Sequence, residues 1–253
     1  LLMLPGLTLK ASDNTPEITI CSQNEPLMPY IAGSSEDPQQ PGILVELVKQ
    51  AAKASGFRPV LIRMPWKRCI HKLKTGKADA IFAVVWQSER DNWGHFPKDA
   101  HGNPLREQRL WSAVYSIFAH KESTLTWDGK QVNNIKTGIA SPLGYVVHQQ
   151  IQDMGIANHT SLSVREGFRL LSLNRLDGYV IEEHAGEQEI KLNDKQNTIR
   201  KFPEPFYVSD WYMPLSHQFV IKHPQRSQLL WQKLRVIRDA QMHALIKKYR
   251  GEQ

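Results

Sequence analysis

Leu73–Val85 reads LKTGKADAIFAVV, and Leu171–Glu183 reads LSLNRLDGYVIEE. Each begins with Leu, places Gly76 or Asn174 three residues on, and continues with a basic residue, an apolar one, an Asp, a small residue and an apolar run. Gly and Asn are the residue types that accept the left-handed conformation closing a helix, so each stretch predicts a helix end, a turn and a strand. Ser163, with Glu166 three residues later, predicts a capping box that opens the helix of the second copy. One helix-turn-strand unit used twice argues for two similar lobes.

Upstream of the first copy, Glu17–Cys21 alternates as a short strand. Pro26, Pro29 and Gly33-Ser34-Ser35 then mark a loop. Gly42–Gly56 (GILVELVKQAAKASG) has Ile43, Leu44, Leu47, Val48 and Ala51 on one helical face, with Gly56 placed to end it. Phe57–Met64 reads as a strand, Pro65 opens a helix, Gly76 closes it, and Asp79–Val85 reads as one further strand. Strand, helix, strand, helix, strand predicts a parallel α/β sheet. Leu110–Ala119 is strand-like, KESTLTWDGK (Lys121–Lys130) reads as a linker, His217–Lys222 as a strand, and Gln228–Tyr249 as a long terminal helix with Leu230, Leu234, Ile237, Leu245 and Tyr249 along its buried side. This order predicts one lobe from residues 12–118 plus 216–253 and a second from 122–213, with crossovers at 119–121 and 214–215.

The chain has 253 residues, 41% hydrophobic and 23% charged, and no apolar run near the ~18 residues of a membrane span. Leu1–Ala11 reads either as the remnant of a secretory signal peptide or as a short strand. Two cysteines, Cys21 and Cys69, leave a single disulfide and two buried thiols both open. The net charge of +7 comes from scattered basic residues, without zinc-finger spacing, an aromatic RNA-binding motif or a basic recognition helix, which argues against nucleic acid as a partner. No phosphate loop, nucleophile elbow or metal-ligand spacing occurs, so neither cofactor nor metal is expected.

Taken in order, PLMPY (Pro26–Tyr30), PGILVELVKQAAKASG, MPWKRCIHKLKTGKADAIFAVVWQSERDNWGHFP, LLSLNRLDGYVIEE and ALIKKY resemble the bacterial extracellular solute-binding proteins of family 3, the polar amino-acid type. The resemblance implies a two-lobed periplasmic binding protein fold (type II) of the α/β class. Each lobe has a central, mostly parallel sheet flanked by helices, and the ligand cleft lies between them. It also implies a periplasmic, monomeric protein with a Cys21–Cys69 disulfide, a small-molecule ligand and an ABC-type membrane permease as partner.

Within that resemblance, Arg90 corresponds to the arginine that holds the ligand carboxylate, where a guanidinium fork gives two parallel charge-assisted bonds. Glu182 falls where the family often places an acid for the ligand ammonium. Tyr30, Trp66 and Trp86 match positions that wall the cleft with aromatic surface, and Arg68 is a further candidate. Backbone N–H groups of Leu143, Gly144 and Tyr145 are placed at a helix start, which favours an anion. The chain departs from the family pattern at Pro142, which removes a donor, and at Ala83, Val84 and Val85, where hydroxyl residues often receive the ammonium.

Binding without chemistry is the resulting expectation. A dehydratase-type enzyme on the same fold is one rival, since Glu182 and Arg90 would supply an acid and an anion holder. A ligand sensor reporting to a membrane protein is another.

Overall fold

A computed structural model of the protein describes residues 15–32, 39–194 and 196–250. The apolar start Leu1–Ala11 and the Gly33-Ser34-Ser35 turn lie outside the described residues. In chain order the first elements are β1 (Glu17–Gln23), α1 (Ile43–Ala54), β2 (Arg58–Met64), α2 (Trp66–Lys74), β3 (Ala80–Ile81), β4 (Val84–Val85) and β5 (Trp111–His120). There follow β6 (Thr126–Trp127), β7 (Val132–Asn133), β8 (Ile139–Ala140), α3 (Val146–Asp153), α4 (Val164–Ser172), β9 (Gly178–Glu182), α5 (Glu183–Asn193), β10 (Ile199–Lys201), β11 (Tyr207–Tyr212), α6 (His217–Lys222) and α7 (Pro224–Arg250).

In the first sheet β1 runs parallel to both β2 and β3, in the order β2-β1-β3. The apolar stripe of α1 explains the helix: Ile43, Leu44, Leu47, Val48 and Ala51 are all buried. Gly56 and Gly76 adopt φ of 76° and 66°, as their places at helix ends require. The second sheet has the order β4-β11-β5-β9-β8, with β10 also on β5. Here β8 and β9 are parallel, whereas β5 pairs antiparallel with β9, β10 and β11.

The repeated unit keeps its expected shape in both places. Asn174 takes φ 53°, and Ser163 with Glu166 forms the full capping box of α4. The Asp of each copy ties its strand to the neighbouring parallel strand. Asp79 Oδ2 accepts the Thr19 N–H at 2.7 Å, and Asp177 Oδ2 accepts those of Lys136, Thr137 and Gly138 at 2.6, 2.6 and 2.9 Å.

Three sequence expectations are corrected. Asp79–Val85 is not one strand: the backbone turns at Ala83, with φ 62°, and β4 joins β11 instead of continuing on β1. His217–Lys222 is a helix, because the Ser216 hydroxyl accepts the Phe219 N–H at 3.1 Å and starts a turn that a period-two reading misses. The Lys121–Lys130 stretch is no plain linker, since β6 and β7 form a hairpin around Asp128-Gly129.

Cys21 and Cys69 are joined as a disulfide, with Cα atoms 5.5 Å apart. It fastens the end of β1 to α2, inside a cluster with Leu73, Ile81, Phe96 and Tyr212. Helix α7 packs along α1. The Tyr249 hydroxyl accepts the Gly42 N–H at 3.0 Å and bonds Glu46, which also pairs with Lys248 at 2.6 Å.

Candidate functional site

The turn that follows β4 builds the site. Gln87 is extended, Ser88–Asn92 coils into a 3-10 turn, and the Arg90 side chain folds back so that Nη1 donates to the Val85 carbonyl at 3.1 Å. The guanidinium also lies 5.8 Å from the centre of the Trp93 ring. Burial lowers its pKa from the ordinary arginine value, against the opposing pull of Glu89, Tyr115 and Tyr207. Among the described residues no carboxylate forms an ion pair with it.

Arg90 faces a cleft whose near wall is Gln23, Leu27, Ile31, Trp66, Phe82, Ala83 and Val85. Tyr115 and Trp211, from β5 and β11, form its floor, and Gly144, Tyr145 and Val146 close the far side. The left-handed turn at Ala83 turns this lining toward the cleft. The two walls touch: the Tyr145 hydroxyl donates to Gln23 Oε1 at 2.7 Å, and the Trp66 and Tyr145 rings meet edge to face at 6.5 Å. Gly144 sits at φ 85°, where a Cβ would come within 3.3 Å of the Trp66 ring. The open space is about 20 Å³, room for roughly one water molecule, so a larger ligand enters only when the walls part.

Of the residues singled out from sequence, Arg90, Trp66, Gly144 and Tyr145 come together here. Leu143 stands at the mouth, 42% exposed. The Tyr145 N–H donates to the Pro142 carbonyl at 3.3 Å, so its backbone is already engaged. Trp86 faces elsewhere, its Nε1 donating to Asp91 Oδ1 at 3.0 Å with Lys98 over its ring. Arg68 is exposed on α2 and does not line the cleft.

Tyr30 and Glu182 lie behind the floor. The Tyr30 ring is 5.2 Å from that of Trp211, and its hydroxyl donates to Glu182 Oε1 at 2.9 Å. The other carboxylate oxygen, Oε2, accepts the Ala185 N–H at 3.0 Å and so caps α5. Burial pushes the Glu182 pKa up to about 8, against the bonds from Ala185 and Tyr30, while the Glu183 charge adds to the rise. Burial thus favours the neutral carboxyl over the carboxylate.

Sequence reasoning missed Gln23, Phe82, Tyr115 and Trp211. Gln23 was findable: it ends β1, and sites in open α/β sheets gather at carboxyl ends of strands. Tyr115 and Trp211 reach the cleft only through the pairing of β5 with β11, and nothing local announces that pairing.

The two sheets, the paired strands between them and the cleft define a two-lobed periplasmic binding protein fold. Residues 18–101 narrow this further, matching the family model of the bacterial extracellular solute-binding proteins, family 3, so the resemblance read from the sequence is borne out. Three solved structures carry the fold over almost the whole chain. A histidine kinase sensor domain with similarity to periplasmic binding proteins aligns at TM-score 0.73 and 16% identity, covering 94% of this chain and 97% of its own. An ancestral amino acid-binding protein, a precursor of cyclohexadienyl dehydratase, aligns at 0.71 and 17%, covering 92% and 95%. The substrate-binding protein of an amino acid ABC transporter aligns at 0.70 and 14%, covering 92% and 98%. Comparison with curated proteins gives no match.

Proposed function

We propose that the protein captures a small ligand bearing a carboxylate, an amino acid or a related acid, in the periplasm and presents it to the permease of an ABC-type importer. Arg90 carries this reading: a guanidinium drawn into an otherwise uncharged cleft, without a carboxylate partner among the described residues, holds an unspent charge for an anion. The Ser88–Asn92 turn orients it, and the engaged Val85 carbonyl fixes one edge of its fork. Trp66, Gly144 and Tyr145 shut over the ligand. Glu182 and Tyr30 stand behind Tyr115 and Trp211 and are absent from the cleft lining, which argues against a proton-transfer role for them and hence against a dehydratase.

The division into residues 12–118 with 216–253 and residues 122–213 is supported by β5 and β11 running side by side. The pairing of Tyr115–Phe118 with β9 favours a crossing earlier in β5 than residue 119. Export agrees with the Cys21–Cys69 disulfide, since such bonds persist in oxidising compartments. No helix among the described residues is long and apolar enough to cross a membrane. Delivery to a permease is favoured by the transporter protein among the structural neighbours. The sensor domain among them keeps signalling as the second reading, because both roles begin with the same closure on ligand.

The test is calorimetry against a panel of amino acids and small carboxylates. Arg90→Ala is expected to weaken carboxylate binding by about 3 kcal/mol, more than a hundredfold. An unchanged affinity would remove Arg90 from the site and the proposal with it.

A further inference from the structure

We infer that the cleft selects carboxylates with an apolar or aromatic body and no ammonium group, so that its ligands are small organic acids instead of α-amino acids. The inference rests on the proposed carboxylate-binding role and narrows it.

An α-amino acid brings its ammonium within a few ångströms of its own carboxylate, and so close to whatever group holds that carboxylate. A second cation beside Arg90 needs an anion or several free acceptors, since a desolvated ammonium without them is strongly disfavoured. Arg90 is the one charged side chain among the described residues that line the cleft. Three acceptors nearby each already hold a bond: Gln23 Oε1 receives the Tyr145 hydroxyl, the Val85 carbonyl receives Arg90, and the Tyr115 hydroxyl receives Trp211 Nε1 at 2.8 Å.

The buried carboxyl behind the floor is no substitute. Glu182 is 1% exposed, and both its oxygens are taken, one by Tyr30 and the other by the start of α5. Glu25 and Glu89 are exposed and absent from the cleft lining; Glu89 lines the adjoining solvent-open groove that also reaches Arg90, where water screens its charge. What remains around the guanidinium is apolar: Leu27, Ile31, Trp66, Phe82, Val85 and Trp211. One fixed cation in such a lining matches one carboxylate on a hydrocarbon or aromatic frame, whose apolar surface the walls cover on closing.

Matched pairs that differ only in the amino group test this on the unaltered protein: 3-phenylpropanoate against phenylalanine, and 4-methylpentanoate against leucine, by calorimetry at pH 7. The acids are expected to bind at least about tenfold more tightly than their amino counterparts. Arg90→Gln, checked for an unchanged circular dichroism spectrum, is expected to abolish that binding. Tighter binding of the amino acids, lost in Arg90→Gln, would overturn this inference and leave the carboxylate-binding proposal standing. Binding of the acids that survives in Arg90→Gln would overturn it, because the anchor would then lie elsewhere. Failure of both members of each pair to bind would overturn this inference, the broader proposal being decided by the full panel of amino acids and small carboxylates.

Discussion

The two copies of the helix-turn-strand unit begin alike and end differently. In the second, β9 runs straight from Gly178 to Glu182 and delivers a carboxyl into the interior, where it caps the next helix. In the first, the strand breaks at Ala83 after two paired residues, changes sheets, and delivers an arginine to the cleft. A shared Asp and a shared turn build the frame, and the last residues of each copy decide whether it makes structure or a site. The proposed binding site lies in the copy whose regular structure is interrupted, as expected where binding needs backbone that a continuous strand cannot supply.

Three experiments probe this contrast, from the largest expected effect downward. The Cys21–Cys69 bond braces the first copy's helix to β1, and the matching β8 of the second copy, Ile139–Ala140, contains no cysteine. With a sequence separation of 48, reduction is expected to cost about 4 kcal/mol on the chain-entropy account, measured as a fall in the urea midpoint on adding a reductant. A midpoint unmoved by full reduction would show that packing alone holds the first copy. The second experiment compares Asp177→Ala with Asp79→Ala. Three backbone N–H groups lose their acceptor in the former and one in the latter, so losses of about 3 and about 1 kcal/mol are expected in chemical unfolding. Equal losses would mean that the shared Asp does equivalent work in both copies.

The third experiment concerns Glu182, whose effect is read as a slope against pH and comes last because it changes no contact at a fixed pH. Its pKa in the folded protein, about 8, lies above the unfolded carboxylate value, so the folded state holds the extra proton between about pH 4.5 and 8. This contribution to stability is complete below the unfolded value, declines as the pH rises through that window by up to about 1.4 kcal/mol per unit, and is gone above it. Glu182→Gln keeps an acceptor for Ala185 and offers a donor to Tyr30, so it is expected to fold normally with a flatter dependence of melting temperature on pH between 5 and 8. The same slope in both proteins would place the titration elsewhere.

Much of this contrast was legible beforehand, and the gaps have physical reasons. Gly76 and Asn174 announced their turns because few residue types accept a positive φ. Ser163 and Glu166 announced a helix start because capping chemistry is local. Arg90 stood out as a charge at the end of an apolar run. Ala83 gave no warning, since alanine has no preference for the left-handed turn that splits β3 from β4 and tertiary pairing imposes it. HQFVIK misled because a six-residue helix is too short to show its period, although Ser216 stood before it as a cap. Asp128-Gly129 carried a hairpin signal that was passed over inside a polar run. Glu182 was visible as an acid at a strand end, but its partner Tyr30 lies 152 residues away, and nothing in either neighbourhood foretells that they meet.

The clasp between α7 and α1 bears on the order in which the molecule can assemble. The Gly42 N–H waits for Tyr249, 207 residues later, whereas every strand that pairs with β5 precedes α7. As the chain emerges N-terminus first, the second sheet can zip up while the apolar stripe of α1 still lacks its cover. The half that is made first is thus sealed last, and through that interval the face of α1 that α7 covers stays open to water.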